Sequence, residues 1–240
     1  GYVPNLSVMG TFDVDDETET AFNRLEAEAA GPVAIRLTRE DGGEAVDGTL
    51  EVTALFNRTG KVGCWLNFSP YNATKPDKPQ GVDRAEEWGV AAMNVDCRGL
   101  CHSEGVFDAF DPQLVDDVDD LLNWIAAQPG SNGKVVMTGG SYPGNTQLAA
   151  MKSGNPALVA CAPSVISFDP YTINFQNGVL IPQFFKGWHS KFAGADSWLQ
   201  MSKHNMRDAY WMERTDPRNL KKSKGRAFYQ AGWFDMLGIS

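Results

Sequence analysis

The sequence predicts an α/β protein: a mainly parallel sheet flanked by helices, broken by a largely helical insertion. Three observations predict it. Short apolar runs of strand length recur at 62–68, 89–95, 134–138 and 158–162. Helix-forming stretches separate several of them, and strands joined through helices belong to βαβ units. From Ser164 to about Lys224 strand patterning stops, while Phe, Trp, Tyr and Met crowd residues 168–211. The expected organisation is a core over 1–163, a helical cap over 164–224, and a return to the core sheet over 225–240.

The elements follow in order. An acidic run at 13–17 reads as a solvated face or cap region, and residues 20–30 as a helix-like piece. Residues 33–39 and 49–56 flank the turn Asp41-Gly42-Gly43 and read as an antiparallel hairpin. Residues 62–68, between Gly60 and Pro70, read as a buried strand. Residues 82–88 suit a short helix, and 89–95 a second buried strand that ends in the loop Asp96-Cys97-Arg98-Gly99. The clearest helix follows. Asp111 is a good N-cap, and Pro112 suits the first helical position, where its missing N–H is not needed. Leu114, Val115, Val118, Leu121, Leu122 and Ile125 recur at helical spacing, with Asp116, Asp117, Asp119 and Asp120 on what reads as a solvated face. Pro129-Gly130-Ser131-Asn132-Gly133 stops it. Residues 134–138 read as a short buried strand, 146–151 as a helix, 158–162 as a further strand, and 226–231 as a late one.

Composition narrows the function. The chain has 240 residues, with 21 Lys or Arg against 30 Asp or Glu, a formal charge of −9. An acidic chain without a basic block lacks the means to neutralise phosphates, so nucleic acid is not an expected partner. No apolar run is long enough to span a membrane. The apolar fraction of 42% supplies a core, which argues against disorder. Cys64, Cys97, Cys101 and Cys161 are too sparse for a disulfide scaffold. The spacing C-x3-C of Cys97 and Cys101, beside His102, lacks the C-x2-C pair typical of zinc, so these read as ordinary small residues and no metal is expected.

The segment that carries chemistry is Gly139-Gly140-Ser141-Tyr142-Pro143-Gly144, between a strand and a helix. A nucleophile elbow needs a Ser on a very tight strand-to-helix turn, flanked by small residues because the backbone pieces nearly touch. The helix behind it offers free N–H groups to a developing oxyanion. The generic G-x-S-x-G spacing is not met, since Pro143 stands second after Ser141 and Gly144 third. The competing readings are a Gly-rich turn with an incidental Ser and a phosphate-cradling loop; a G-x-x-x-x-G-K-[ST] loop is absent.

Several blocks together resemble one family. The run Asp96-Cys97-Arg98-Gly99-Leu100-Cys101-His102-Ser103-Glu104-Gly105 is followed by Trp124-Ile125-Ala126-Ala127-Gln128-Pro129, then Ser131-Asn132-Gly133-Lys134-Val135, then the Ser141 segment. With Asn67-Phe68-Ser69-Pro70-Tyr71 upstream and Gly232-Trp233-Phe234-Asp235 downstream, these blocks are similar to the CocE/NonD family of serine hydrolases. That family includes cocaine esterase, α-amino-acid ester hydrolases and, more distantly, X-prolyl dipeptidyl peptidases. Its elbow, G-x-S-Y-x-G, accepts this sequence. The resemblance implies an α/β-hydrolase fold with a helical cap, and cleavage of an ester, or alternatively an amide, through an acyl-enzyme. It implies Ser141 as nucleophile, Asp235 as the acid that orients a catalytic His, and an oxyanion hole made by the Tyr142 N–H and the Tyr71 hydroxyl. Taken alone, Tyr71 reads as a Pro-Tyr turn packing its ring. Arg98 is expected to tie loops together. No cofactor is implied, and the expected partner is a small-molecule ester or amide, with a homo-oligomer left open.

One member of the expected set is not placed. The chain order in this fold is Ser, acid, His, and the three His, at 102, 189 and 204, all precede Asp235. Each reads most simply as a surface or cap histidine. The expectation is therefore a C-terminally incomplete hydrolase core whose His comes from a further segment or a second chain. The alternatives are a non-catalytic binding or assembly subunit on the same fold, and a dipeptidyl aminopeptidase. The cap aromatics Phe168, Tyr171, Phe175, Phe184, Phe185, Trp188 and Trp198 read either as lining for an acyl or aryl pocket or as a small cap core.

Overall fold

A computed structural model describes residues 6–8, 35–37, 48–50, 52–55, 61–71, 73, 87–101, 103–215, 217–232 and 235. The expected acidic run at 13–17, the helix at 20–30, most of the helix at 82–88, and His102 lie outside the described residues. Eleven strands are present among them: β1 (Leu6–Val8), β2 (Ile35–Leu37), β3 (Gly48–Leu50), β4 (Val52–Leu55), β5 (Val62–Ser69), β6 (Ala91–Asp96), β7 (Ser131–Gly140), β8 (Leu158–Ser164), β9 (Phe175–Gln176), β10 (Val179–Leu180) and β11 (Arg226–Ala227). The helices are α1 (Gln113–Ala127), α2 (Tyr142–Ser153), α3 (Pro170–Asn174), α4 (Pro182–Phe192), α5 (Gly194–Lys203) and α6 (Ala209–Thr215), followed by a 3-10 turn at Pro217–Lys222. Seven strands form one sheet in the order β1-β4-β6-β5-β7-β8-β11, parallel throughout except between β4 and β6.

The centre of the sheet is apolar because both its faces are covered. Every residue of β6 is buried, as are the last six of β5, which explains their largely apolar character; the buried polar exceptions include Asn67, whose Nδ2 donates to Asn94 Oδ1 at 2.9 Å. On α1, Val118, Leu121, Leu122 and Ile125 are all fully buried at the spacing of one helix face. Each such side chain contributes about 2 kcal/mol by leaving water. Asp111 does cap this helix: its Oδ1 accepts from the Gln113 N–H at 2.9 Å, and Pro112 already holds helical angles, φ −52° and ψ −31°.

Four expectations need correction. The expected second hairpin strand, 49–56, is divided. Its first part, β3, pairs antiparallel with β2, whereas β4 leaves the hairpin to join the main sheet beside β6. Asp117 is not solvated: it is 2% exposed and takes both Nε and Nη2 of Arg98, at 2.9 and 2.5 Å. This buried pair ties the loop after β6 to α1, the role expected of Arg98, and the adjacent carboxylate raises the Arg98 pKa. Helix α2 starts four residues earlier than the expected 146, directly after Ser141. Its buried residues Tyr142, Gly144, Thr146, Gln147, Leu148, Ala149, Ala150 and Met151 point to several sides; a helix covered all round shows no amphipathic period to read. Finally, residues 168–211 contain the short antiparallel pair β9–β10, joined through Asn177 and Gly178 at positive φ, in a segment expected to be largely helical and without strand patterning.

Residues 165–225 connect β8 to β11, which lie side by side. This helical connection has its own apolar cluster of Ile173, Phe175, Trp198, Met201 and Trp211. The main cluster lies between the sheet, α1 and α2 and includes Leu66, Phe68, Met93, Val95, Val135, Met137 and Leu158.

Candidate active site

Ser141 joins β7 to α2. It holds φ +62° and ψ −133°, a region that only Gly enters without strain and that costs a side-chain-bearing residue about 1–3 kcal/mol. The turn is held from several sides. The Ser141 N–H donates to Ser164 O on β8 at 3.0 Å, and Ser141 O accepts from the Gly144 N–H at 2.9 Å. Two glycines are required by proximity. A Cβ on Gly140 would stand 2.8 Å from Ser164 Oγ, and one on Gly144 would stand 2.1 Å from Ile166 Cγ2. The Gly at the third position after Ser141 is therefore where the turn needs it. Tyr142, the first residue of α2, has its N–H at the end of the helix where backbone donors have no intrahelical acceptor.

The second part of the site comes from the end of β5. Tyr71 Oη lies 3.1 Å from Ser141 Oγ, so the two hydroxyls that the sequence places 70 residues apart are hydrogen-bonded. The loop that carries Tyr71 is fixed to its neighbours. Ser69 Oγ accepts from the Tyr71 N–H at 3.1 Å, Asp96 Oδ1 accepts from the Ala73 N–H at 2.7 Å, and Ser69 O accepts from the Cys97 N–H at 3.0 Å. Thr146 Oγ1, one turn into α2, donates to Phe68 O at 2.9 Å. The ends of β5, β6 and β7 are thus laced into one rim.

Two further residues shape this rim: Gln147, which sequence reading does not single out, and Trp188, which it gives only as one of several cap aromatics. Gln147 is fully buried; its Nε2 donates to Gly139 O at 3.1 Å and to Pro143 O at 2.9 Å, while its Oε1 accepts from the Ala162 N–H at 2.9 Å. One amide so ties the elbow to β8, but in the sequence it is an ordinary helix former. Trp188, on α4, donates its indole N–H to Tyr71 Oη at 3.1 Å and stacks on the Tyr142 ring, centroids 5.4 Å apart at 18°. The Tyr142 ring is buried; its hydroxyl accepts from the Phe110 N–H at 3.0 Å, and burial pushes its pKa well above the ordinary value.

The aromatic residues of the helical connection fall into separate groups. Trp188 reaches the Ser141 region. Tyr171, Phe175 and Trp198 belong to the separate cluster around Trp211, and so form a small core. Phe168 packs on Tyr229 at 5.0 Å and, with Phe110, Leu114, Leu148, Lys152 and Arg214, lines a cavity of about 230 Å³ on the α1 side of α2. Neither Ser141 nor Tyr71 lines that cavity. The side chains of Phe184 and Phe185 lie outside those described.

Asp235 follows the strand that reaches the same rim. Beyond β11, Gln230 pairs with Ser164, the residue whose carbonyl holds the Ser141 N–H. Five residues later Asp235 closes a turn, its N–H donating to Gly232 O at 3.1 Å. Topology thus brings Ser141 and Tyr71 together at the C-terminal edge of the sheet, and Asp235 follows the parallel strand β11 at one side of it. The described histidines are engaged elsewhere. His189 is buried among Trp188 and Trp198, with Nδ1 3.3 Å from Ser197 Oγ and Nε2 without a partner. His204 Nδ1 lies 2.6 Å from Asp208 Oδ2 and its ring stacks on Tyr210. Neither bonds to Ser141. Among the described residues no group of three or more His, Cys, Asp or Glu is arranged to hold a metal ion. None of the four cysteines forms a disulfide; Cys101 is exposed and the others are buried.

Residues 56–199 match the X-Pro dipeptidyl-peptidase (S15) family. The chain belongs to that family. The S15 chain matches cocaine esterase of Rhodococcus sp. (strain MB1 Bresler) with 40% identity over 104 residues, which cover 42% of the chain and 18% of the esterase. A putative serine esterase of Mycobacterium bovis matches with 32% identity over 102 residues, 42% of the chain and 16% of that protein. The S15 chain therefore matches these relatives over less than a fifth of their length. Among solved structures, a CocE/NonD family hydrolase from Staphylococcus aureus superposes with a TM-score of 0.60 at 22% identity, over 78% of this chain and 39% of that one. An α-amino-acid ester hydrolase superposes with a TM-score of 0.56 at 19% identity, over 85% and 44%. At such identities the structures establish the α/β-hydrolase fold, and the S15 match and the esterase relatives bear out the CocE/NonD resemblance. The S15 family is hydrolytic.

Proposed function

We propose that this S15-family chain carries the nucleophile and oxyanion side of a serine esterase. Ser141 is the nucleophile, Asp235 the orienting acid, and the Tyr142 N–H and Tyr71 hydroxyl the oxyanion donors. The observation that carries the reading is the strained Ser141 turn with its hydroxyl in hydrogen-bond contact with Tyr71. Strain of this kind persists only where the surroundings over-determine it, and here three strand ends and Gln147 do so.

In the reaction, Ser141 Oγ attacks the ester carbonyl carbon as a His takes its proton. The carbonyl oxygen becomes an oxyanion facing the two donors. The intermediate collapses, the C–O bond to the alcohol breaks, and the His returns the proton to the leaving alcohol. Water then repeats the sequence on the acyl-enzyme and frees the acid. None of the described residues supplies the His, which this reading places on a further segment or a second chain. The helical connection acts as a cap, with Trp188 against the two proposed oxyanion donors.

An ester substrate is favoured over a dipeptide by the 40% identity to cocaine esterase. The amide reading rests on the name of the family. Turnover of p-nitrophenyl benzoate and acetate by the full-length protein, set against release of p-nitroaniline from an Xaa-Pro anilide, decides between them. Ester turnover that vanishes in Ser141→Ala is the expected result. Faster release from the Xaa-Pro anilide would assign a peptidase, and no Ser141-dependent turnover of either would favour a binding subunit on the same fold.

A further inference from the structure

We propose that Trp188 is a positioning residue for the oxyanion hole, its indole N–H fixing the Tyr71 hydroxyl and making it a stronger donor. The assignment rests on the serine-hydrolase reading of Ser141 and extends it to a residue on the helical connection. The indole nitrogen is donor-only. At 3.1 Å from Tyr71 Oη it obliges that oxygen to act as acceptor. Among the described residues, Ser141 Oγ, also at 3.1 Å, is the other hydrogen-bonding atom at the phenol oxygen. With one acceptor direction of the phenol taken by the indole, its own proton is turned toward the Ser141 side. That is the side on which an oxyanion forms when Ser141 adds to a carbonyl.

The second effect is electronic. As Tyr71 donates to a developing oxyanion, negative charge accumulates on its phenol oxygen. A hydrogen bond received by that oxygen stabilises the accumulated charge, and chained hydrogen bonds reinforce one another in a low-dielectric site. This help grows with charge, so it acts on the transition state more than on bound substrate. The geometry is held by packing on both sides. The Trp188 ring stacks on Tyr142, whose N–H is the other donor, and Phe192, one turn further along α4, meets the Tyr71 ring edge-on at 5.1 Å and 66°. One helix face of the connection therefore braces both proposed donors. Docking of α4 becomes a condition for a competent oxyanion hole.

The test is a double-mutant cycle on ester turnover by the full-length protein. Trp188→Phe keeps an aromatic ring against Tyr142 and removes the N–H. The expected result is a fall in kcat of about 3- to 10-fold with KM changed less than about 2-fold, since the lost bond acts mainly in the transition state. Tyr71→Phe alone lowers kcat by about 100-fold, the scale of a lost oxyanion donor. In the Tyr71→Phe background Trp188→Phe has no further effect on kcat, because the indole acts only through that hydroxyl. A residue that served only as packing would cost the same factor in both backgrounds, or would change KM. Replacing Trp188 by 3-benzothienylalanine keeps the bicyclic shape without the N–H, and must reproduce the Trp188→Phe loss if that variant folds poorly. Equal losses in the two backgrounds, or an unchanged kcat with benzothienylalanine, would overturn the assignment while leaving Ser141 as nucleophile. Absence of Ser141-dependent turnover would overturn both.

Discussion

Ser141 carries its Cβ at φ +62° and ψ −133°, and the proposed nucleophile is thus also a source of instability. The strain belongs to the side chain and not to the hydroxyl. Ser141→Gly and Ser141→Ala both remove the hydroxyl and its contact with Tyr71, but only glycine relieves the backbone. The glycine variant is expected to be more stable than the alanine variant by about 1 kcal/mol, measured as the difference between their urea unfolding free energies. Equal stabilities would mean that the turn is not strained. At this scale the Ser141 turn was legible from the glycines before and after it, whereas Tyr71 taken alone read as a Pro-Tyr turn and gained its expected role only from the family resemblance. Trp188 was readable only as one of several aromatics in its segment, because nothing in a sequence records which indole N–H meets which hydroxyl. Asp117 was misread for a related reason. A run of four aspartates on one helix looks solvated, and only the fold reveals that one of them faces Arg98.

Among the elements, α2 does most to shape the rim, and Gln147 is its chief polar tie. Its buried amide serves Gly139 O, Pro143 O and the Ala162 N–H at once. Gln147→Leu fills a similar space but strands a buried N–H and a buried carbonyl, each costing about 1–3 kcal/mol. A destabilisation of about 3 kcal/mol is expected from chemical denaturation, with esterase kcat lowered as the elbow loosens. A loss below about 1 kcal/mol would show that the elbow is held without it. Strands β5 and β6 were legible because strands buried on both faces are largely apolar. Helix α1 was legible because it is amphipathic and capped by Asp111. The first turn of α2 and the division between β3 and β4 were not, since burial on all sides erases the helical period and a strand's choice of partner is a tertiary matter.

Across the whole molecule, the helical connection and the sheet meet at Trp188, beside the buried His189. Burial lowers the His189 pKa from 6.5 to about 4. The unfolded chain therefore binds the proton that the folded chain refuses, and stability is complete above the unfolded value and falls as the pH drops from about 6.5 toward about 4. Between pH 7 and pH 5 this group alone is expected to remove about 2 kcal/mol, read from urea midpoints. His189→Leu should flatten that part of the profile, and an unchanged slope would show that His189 does not report on burial of the connection. The central claim is that a strained Ser at the sheet edge is an activated nucleophile in the family's hydrolytic role. Its most direct test is reaction of the full-length protein with a fluorophosphonate, with the adduct located by peptide mass spectrometry. The account predicts a single adduct on Ser141, abolished in Ser141→Ala and slowed in Tyr71→Phe. An adduct on another residue, or none on an intact and folded protein, would contradict it.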